Sequence, residues 1–297
     1  FHYVIVANGH FSMPNIPVVQ GIENFTGRIL HSHDFRDAKE FKNQRVLIVG
    51  ANHSAEDIGS HCYKYGCKQI IRSFRSKPIE LCWPQNWQDV PLLKNLEDKT
   101  AYFINGDAKE VDSIIFCTGY KHHFPFLADE LRLTTSNRLW IKNLYKGVLW
   151  ENNTNLIYLG MQDQIYTFPL FATQAAYVRD MILGKIVIPP RDNIHEYGQR
   201  WLERESKLNF ALDSPEPVIY QSDYIMDLMK DINNPPKFDF DCANQIFFDF
   251  IRHRSENIMT FRDQSHASMI TKKVSPKTPD VWLEDFSSDK FEDYIKY

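Results

Sequence analysis

The chain has 297 residues, 43% of them hydrophobic, and a net charge of −4. That suffices for one large domain or two modest ones with packed cores, and it excludes disorder over the whole length. The near-balanced charge offers no general reason for a nucleic-acid or anionic-membrane partner, and no apolar run approaches the roughly 20 residues that span a bilayer.

In chain order, the first element is an apolar strand-like run, Tyr3–Ala7, followed by the turn-rich stretch NGHFSMPNIPVVQG. The opening at Phe1, directly before a strand, reads as a piece of a longer protein with material on the N-terminal side. Arg45–Val49 has the short continuous apolar character of a buried parallel strand. Gly50–His53 is a turn, and Ser54–Tyr65 has helical spacing, with Ala55, Ile58, Cys62 and Tyr65 near one face. Glu56 and Asp57 sit in the first turn, where carboxylates complement the helix dipole, and Gly66 is a natural stop. Lys68–Phe74 (KQIIRSF) is a second strand, which closes a βαβ unit of about 30 residues. Residues 78–110 read as loop-rich with a hairpin around Asn105-Gly106. Val111–Cys117 is a strand ending in Thr118-Gly119-Tyr120, and Leu156–Leu159 repeats that pattern before Gly160. Gln174–Leu183 is an amphipathic helix. Residues 191–297 give no clear pattern.

The five cysteines are odd in number and form no C-x-x-C pair. Neither a disulfide framework nor a zinc ribbon fits, and reduced thiols in a cytoplasmic protein are expected. His31 and His33, and the adjacent His122 and His123, lack a supporting ligand set, so no metal site is expected.

The turn VLIVGANHSAEDIG poses the functional question. A pyrophosphate bound at a helix N-terminus needs close access to backbone N–H groups. Gly50 supplies the tight turn, Asn52 stands at the middle glycine of the dinucleotide fingerprint, Ser54 offers a hydroxyl and an N–H, and Ala55 replaces the third glycine. Asn tolerates left-handed backbone angles, which would partly excuse Asn52. The motif alone is equally compatible with an ordinary α/β turn. An NAD site places an acid at the end of the second strand, yet Arg72-Ser-Phe-Arg75-Ser-Lys77 contains none. Guanidinium groups there suit a 2′-phosphate, which favours NADPH; a solvated basic loop is the alternative.

Several segments together resemble the flavin-containing monooxygenases, in particular the bacterial trimethylamine-monooxygenase-like branch. Phe25-Thr-Gly27-Arg-Ile-Leu-His31-Ser-His-Asp-Phe35 fits F-x-G-x-x-x-H-x-x-x-[YF]; Phe116-Cys-Thr118-Gly119-Tyr120 is similar to F-A-T-G-Y; VANGHFSMPNIP resembles V-A-T-G-x-x-S-x-P-x-x-P. HSHDFRDA, SAEDIGSHCYKYG and YLGMQDQ add to the likeness. The resemblance implies an α/β fold with two Rossmann-like dinucleotide-binding domains. The NADPH domain (15–126) would be inserted in an FAD domain represented by residues 1–14 and 127–297, the latter with the C-terminal region. It further implies FAD and NADPH as cofactors, O₂ and a small amine or sulfide as substrates, N- or S-oxide formation, and a homodimer for the full-length protein. Carried onto this chain, Gly50, Asn52, Ser54 and Arg75, helped by Arg72, would hold NADPH. Thr118 and Gly119 would lie near the cofactors, and Gln162 and Gln164 would approach the flavin; for these two, a polar turn before a helix is the alternative.

Three departures matter. The FAD phosphate loop of the family is absent and would lie upstream of Phe1. Asn52 and His53 replace a small residue and a Tyr, so His53, beside nicotinamide, becomes a candidate catalytic tuner of hydride transfer or a passive substitution. Ile165 occupies the position of a substrate-holding Trp and lacks the ring quadrupole for a trimethylated ammonium-like group, which weakens trimethylamine as substrate. The rivals are a disulfide reductase built on Cys62 and Cys67, a non-catalytic NADP(H)-binding module, and a degraded pseudoenzyme.

Overall fold

A computed structural model describes residues 1–76, 80–268 and 271–274. Two units divide at Lys237 and Phe238. In the first unit, chain order runs β1 (Val4–Val6), β2 (Met13–Pro14), β3 (Arg28–His31), β4 (Arg45–Val49), α1 (His53–Lys64), β5 (Gln69–Ser73) and β6 (Trp87–Val90). It continues through β7 (Leu93–Glu97), β8 (Thr100–Phe103), β9 (Ala108–Glu110), β10 (Ser113–Phe116), β11 (Tyr120–Lys121), β12 (Leu144–Tyr145), β13 (Leu149–Trp150) and β14 (Leu156–Tyr158). Helices α2 (Thr167–Ile182), α3 (Arg191–Glu205) and α4 (Glu216–Met229) complete it. The second unit contains α5 (Phe240–Glu256), capped by the Asp239 carboxylate, which accepts from Cys242 N.

The largest sheet has strand order β3-β10-β4-β5-β6 and is parallel throughout. Alternation along its strands sorts side chains to two faces. Val46 and Ile48 of β4 join Ile70, Ile115 and the α1 residues Ala55 and Cys62 in one core cluster. Leu47 and Val49 join Ile71, Ile114 and Phe116, together with Leu93, Leu96 and Phe103 of the antiparallel sheet β7-β8-β9, in the other. Helix α1 thus covers one face and a β-meander the other, and the parallel strands are apolar on both sides, as a sheet covered on two faces requires. The expected fold class, α/β with a parallel dinucleotide-binding sheet, is what the chain adopts.

A second sheet, β1-β14-β13-β12, pairs β1 in parallel with β14 and is otherwise antiparallel. Residues at the start of the chain therefore lie beside residues some 150 positions later, and β2 pairs with β11 between the two. Buried Lys146, after β12, fixes α4 to this sheet: its Nζ lies 3.0 Å from Asp227 and 2.7 Å from Asp231, and over the Tyr197 ring of α3. With two carboxylates and an aromatic face, the buried ammonium is well compensated.

The βαβ unit lies within a residue or two of its expected bounds, and the Asn105-Gly106 hairpin joins β8 to β9. Other expectations need correction. Residues 78–110 contain strands β6 and β7 as well as the hairpin. Tyr65 is exposed at the C-terminus of α1 and shares no buried face. Helix α2 begins at Thr167, seven residues early, because Pro169 falls in its first turn, where no intrahelical donor is lost.

Candidate functional site

The parallel sheet delivers its turns to one edge. Gly50 follows β4 with φ of +128°, and a Cβ there would lie 2.3 Å from the Cys117 carbonyl oxygen at the end of neighbouring β10. Only glycine permits that approach. Gly50 N also donates to Ser73 O, tying the turn to the end of β5. Asn52 is the N-cap of α1 with φ of −95° and ψ of −174°, an extended conformation open to any residue. The left-handed tolerance expected of Asn52 is therefore not used. Its side chain makes no capping bond, while its carbonyl accepts from Ala55 N and Glu56 N. Asn52, His53 and Ser54 are exposed, so the N-terminus of α1 turns its positive dipole end to solvent.

Thr118 and Gly119 follow β10 beside this turn. Their backbone is strapped to Asn15: Thr118 Oγ1 donates to Asn15 O at 2.6 Å and Asn15 N donates to Gly119 O at 2.9 Å. Arg75 is exposed just beyond β5. Gly50, Asn52, His53, Ser54, Thr118, Gly119 and Arg75 thus all sit at the carboxyl ends of adjacent parallel strands, the edge where such sheets bind dinucleotides.

Arg72 does not belong to that group. It is fully buried inside β5, with Nε and Nη2 donating to the two Asp89 oxygens at 2.8 and 2.6 Å and Nη1 3.7 Å from Glu56. Its guanidinium lies over the rings of Trp83 and Trp87, which stack on each other at 3.8 Å. The expected helper of a 2′-phosphate is instead the centre of a buried ion-pair and cation–π cluster, with no exposed face to offer. His53, at the top of α1, has Nδ1 3.9 Å from the Glu56 carboxylate.

The loop after β14 carries Gln162, Gln164 and Ile165. Gln162 is fully buried; it donates to Gly147 O and accepts from Gln174 Nε2. A side chain at Gly147 would strike Tyr224 Oη at 2.4 Å and Gln162 Nε2 at 2.8 Å, so this packing needs the glycine. Gln162 braces the loop rather than reaching out of it. Gln164 is half-buried and donates to Gly160 O. Ile165 is half-buried, with its backbone N–H donating to Gln221 of α4 at 2.8 Å.

Two histidines, one following β1 and one following β11, pack against this loop. His10 Nδ1 lies 3.1 Å from Gly160 O, His122 Nε2 3.0 Å from Met161 O, and their rings stack at 4.6 Å. A carbonyl can only accept, so each ring donates from the named nitrogen; burial lowers both pKa values, and the neighbouring His122 lowers that of His10 further. His31, also buried and lowered, packs edge-on against Tyr120. None of these roles, nor those of Gln174 and Gln221, was found in the sequence. The one available signal is a glutamine inside an apolar helical run, as in VIYQSDYIMDL.

Among the described residues, no group of three or more His, Cys, Asp or Glu could hold a metal, and no helix is long and apolar enough to cross a membrane. Cys62 and Cys67 are buried, and burial pushes their thiols up to about 12 and about 11. Such thiols are poor nucleophiles, which argues against a disulfide-exchange site.

A profile of the flavin-binding monooxygenase-like family matches residues 90–240, and one described as pyridine nucleotide-disulphide oxidoreductase matches residues 1–80. The chain belongs to the flavin-binding monooxygenase-like family. It is 47% identical over its full length to the trimethylamine monooxygenase of Roseovarius sp. (strain 217), and it spans 65% of that relative's length. Over 70% of this chain it is 29% identical to the senecionine N-oxygenase of Tyria jacobaeae. The crystal structure of Tmm from Pelagibacter sp. strain HTCC7211 superposes with a TM-score of 0.91 at 40% identity, covering 98% of this chain and 66% of that one. The fold of S-allyl-L-cysteine S-oxygenase from Allium sativum is also shared, with a TM-score of 0.69. The pyridine nucleotide-disulphide oxidoreductase profile of residues 1–80 takes in strand β4, the Gly50 turn, α1 and β5 of this flavin-binding monooxygenase-like chain.

Proposed function

We propose that the protein is an FAD- and NADPH-dependent monooxygenase that places one oxygen atom of O₂ on the nitrogen or sulfur of a small amine or sulfide. The observation that carries this reading is the arrangement at one sheet edge: the Gly50 turn, the exposed N-terminus of α1, and exposed Arg75 beyond β5, in a chain of this family. When bound, reduced flavin supplies the oxygen activation and transfer.

The residues of this chain bind and orient. Gly50 lets the pyrophosphate approach the backbone, and the N–H groups at Asn52–Ser54 donate to it. Arg75 pairs with the 2′-phosphate through charge-assisted hydrogen bonds, which selects NADPH over NADH. Thr118 and Gly119, held by Asn15, form the neighbouring wall of the nucleotide site, and the braced loop at Gln164 and Ile165 forms the substrate side. Exposed His53, at the start of α1, would lie toward the nicotinamide. Aliphatic Ile165 offers an apolar contact rather than a cation–π face, so a sulfide or an uncharged amine fits this wall better than a trimethylated cation. Residues 15–126 would form the NADPH domain, with 1–14 and 127–297 belonging to the FAD part. A cytoplasmic homodimer is expected for the full-length protein on the resemblance alone, and sedimentation tests it.

The deciding assay supplies the flavin-loaded, full-length protein with NADPH, O₂ and a panel of small amines and sulfides. Bleaching of the flavin with substrate-dependent O₂ uptake and oxide formation is the expected result. Absence of both bleaching and O₂ consumption with every substrate rejects the reading.

A further inference from the structure

The loop Asp163–Tyr166 is held by one side chain from another helix. Gln221 of α4 is 1% exposed. Its Oε1 accepts from Ile165 N at 2.8 Å and Tyr166 N at 2.7 Å, and its Nε2 donates to Asp163 O at 2.6 Å. A single amide thus satisfies three backbone groups within four consecutive residues, using both lone pairs of its oxygen. Tyr166 is the N-cap of α2 and makes no side-chain cap bond; Gln221 accepts from its backbone N–H, as the N3 side chain of a capping box does at an N-cap. The rest of the loop is braced as well: Gly160 N donates to Gln174 Oε1, and Asp163 N donates to Arg138 O. At Ile165 and Tyr166 both backbone N–H groups donate to Gln221, and Tyr166 O accepts from Leu170 N.

We propose that Gln221 is a positioning residue for substrate oxygenation. It fixes the backbone at Ile165, and with it the direction of the side chain that faces the substrate, without itself touching substrate or cofactor. This rests on the proposed monooxygenase reading. The chemistry predicts a selective effect. Losing the clamp frees the substrate side of the site, while the nucleotide turn at Gly50–Ser54 lies on another sheet and keeps its own hydrogen bonds. Substrate binding should therefore suffer and reduction by NADPH should not.

The test uses the full-length, flavin-loaded protein with trimethylamine and dimethyl sulfide as probes. Gln221→Met keeps the volume and removes all three hydrogen bonds. Expected is a rise in KM of about tenfold for whichever probe is oxidised, the size of one net hydrogen bond, with the rate of flavin bleaching by NADPH within about twofold of wild type. Gln221→Glu distinguishes positioning from bulk packing. A protonated Glu can accept from both N–H groups and donate to Asp163 O, whereas the carboxylate cannot donate. With dimethyl sulfide, which does not titrate, its KM should lie near wild type where the Glu is protonated and climb toward the Met variant's as rising pH ionises it, a dependence beyond any shown by wild type or the Met variant. The Glu variant carries the test if the Met variant fails to fold. An unchanged KM in the Met variant, a parallel loss of flavin reduction, or a pH-flat Glu variant overturns the role of Gln221. A wild-type protein that oxidises neither probe nor any other amine or sulfide overturns the monooxygenase reading, and the proposal with it.

Discussion

Arg72 and Asp89 face each other across adjacent strands β5 and β6, paired in register, with two hydrogen bonds of 2.8 and 2.6 Å between guanidinium and carboxylate. Arg72 is fully buried and the Asp89 side chain 30% exposed. Removing the Asp89 carboxylate leaves the buried guanidinium with the more distant Glu56, whereas removing the cation takes the partner from Asp89 and also the neighbouring charge from buried Glu56. Asp89→Ala should destabilise the protein by about 3 kcal/mol, the low end for a broken buried pair, and Arg72→Met by at least as much. Urea unfolding midpoints check this; an Asp89→Ala variant as stable as wild type rejects the assignment of Arg72 to the core.

Arg75, three residues further on, is the exposed cation of the pair. Loss of a charge-assisted bond to phosphate costs about 1.5–3 kcal/mol, so Arg75→Ala should weaken NADPH by about ten- to a hundredfold and NADH by less than twofold. Arg72→Met should leave the NADPH-to-NADH ratio alone. Fluorescence titration with both nucleotides decides, and equal losses for the two would refute the 2′-phosphate role.

The turn makes a contrasting pair of predictions. Gly50→Ala must place a Cβ 2.3 Å from a backbone oxygen at a φ that L-residues avoid, so a loss of about 2 kcal/mol or more is expected. Asn52→Gly relieves nothing, because Asn52 is already extended, and should shift stability by only a few tenths of a kcal/mol. Thermal unfolding of the two variants should order them in this way; a tolerated Gly50→Ala contradicts the close approach to β10.

Acid should loosen the contact between the loop after β14 and the residues that follow β1 and β10. His10, His31 and His122 have pKa values lowered by burial. In the window below the ordinary value near 6.5, the unfolded chain binds more protons than the folded one, so stability falls with falling pH. It is fully present above that value and lost progressively on the acid side. His10→Asn and His122→Gln place an amide N–H where Nδ1 and Nε2 now donate, and the double variant should flatten the dependence of Tm on pH between 7.5 and 5.5. An unaltered slope would show that these rings do not carry it.

What was legible in the sequence follows the physics of each region. The apolar run of β4, the helical spacing of α1 and the Ile70-Ile71 core of β5 are punctuated by Gly50 and Gly66, and their bounds could be read nearly to the residue. Strands β6 and β7 (WQDV and LKNLE) alternate with charges and are flanked by prolines, so they resemble loop until their partners are known. Arg72 and Arg75 look alike in RSFR. The register separates them, because Arg72 shares a strand face with Ile70 under Trp83 and Trp87 while Arg75 lies past the strand end. A two-residue periodicity counted from Ile70 would have placed Arg72 inward. Gln174 and Gln221 carried no local signal of their targets, since what they hold is backbone 14 and 55–58 residues away.

Because position 165 is fastened through its main chain, its side chain is under no obligation to shape the loop. A substitution at 165 can therefore change the surface that this loop presents while the main-chain anchor to α4 stays in place.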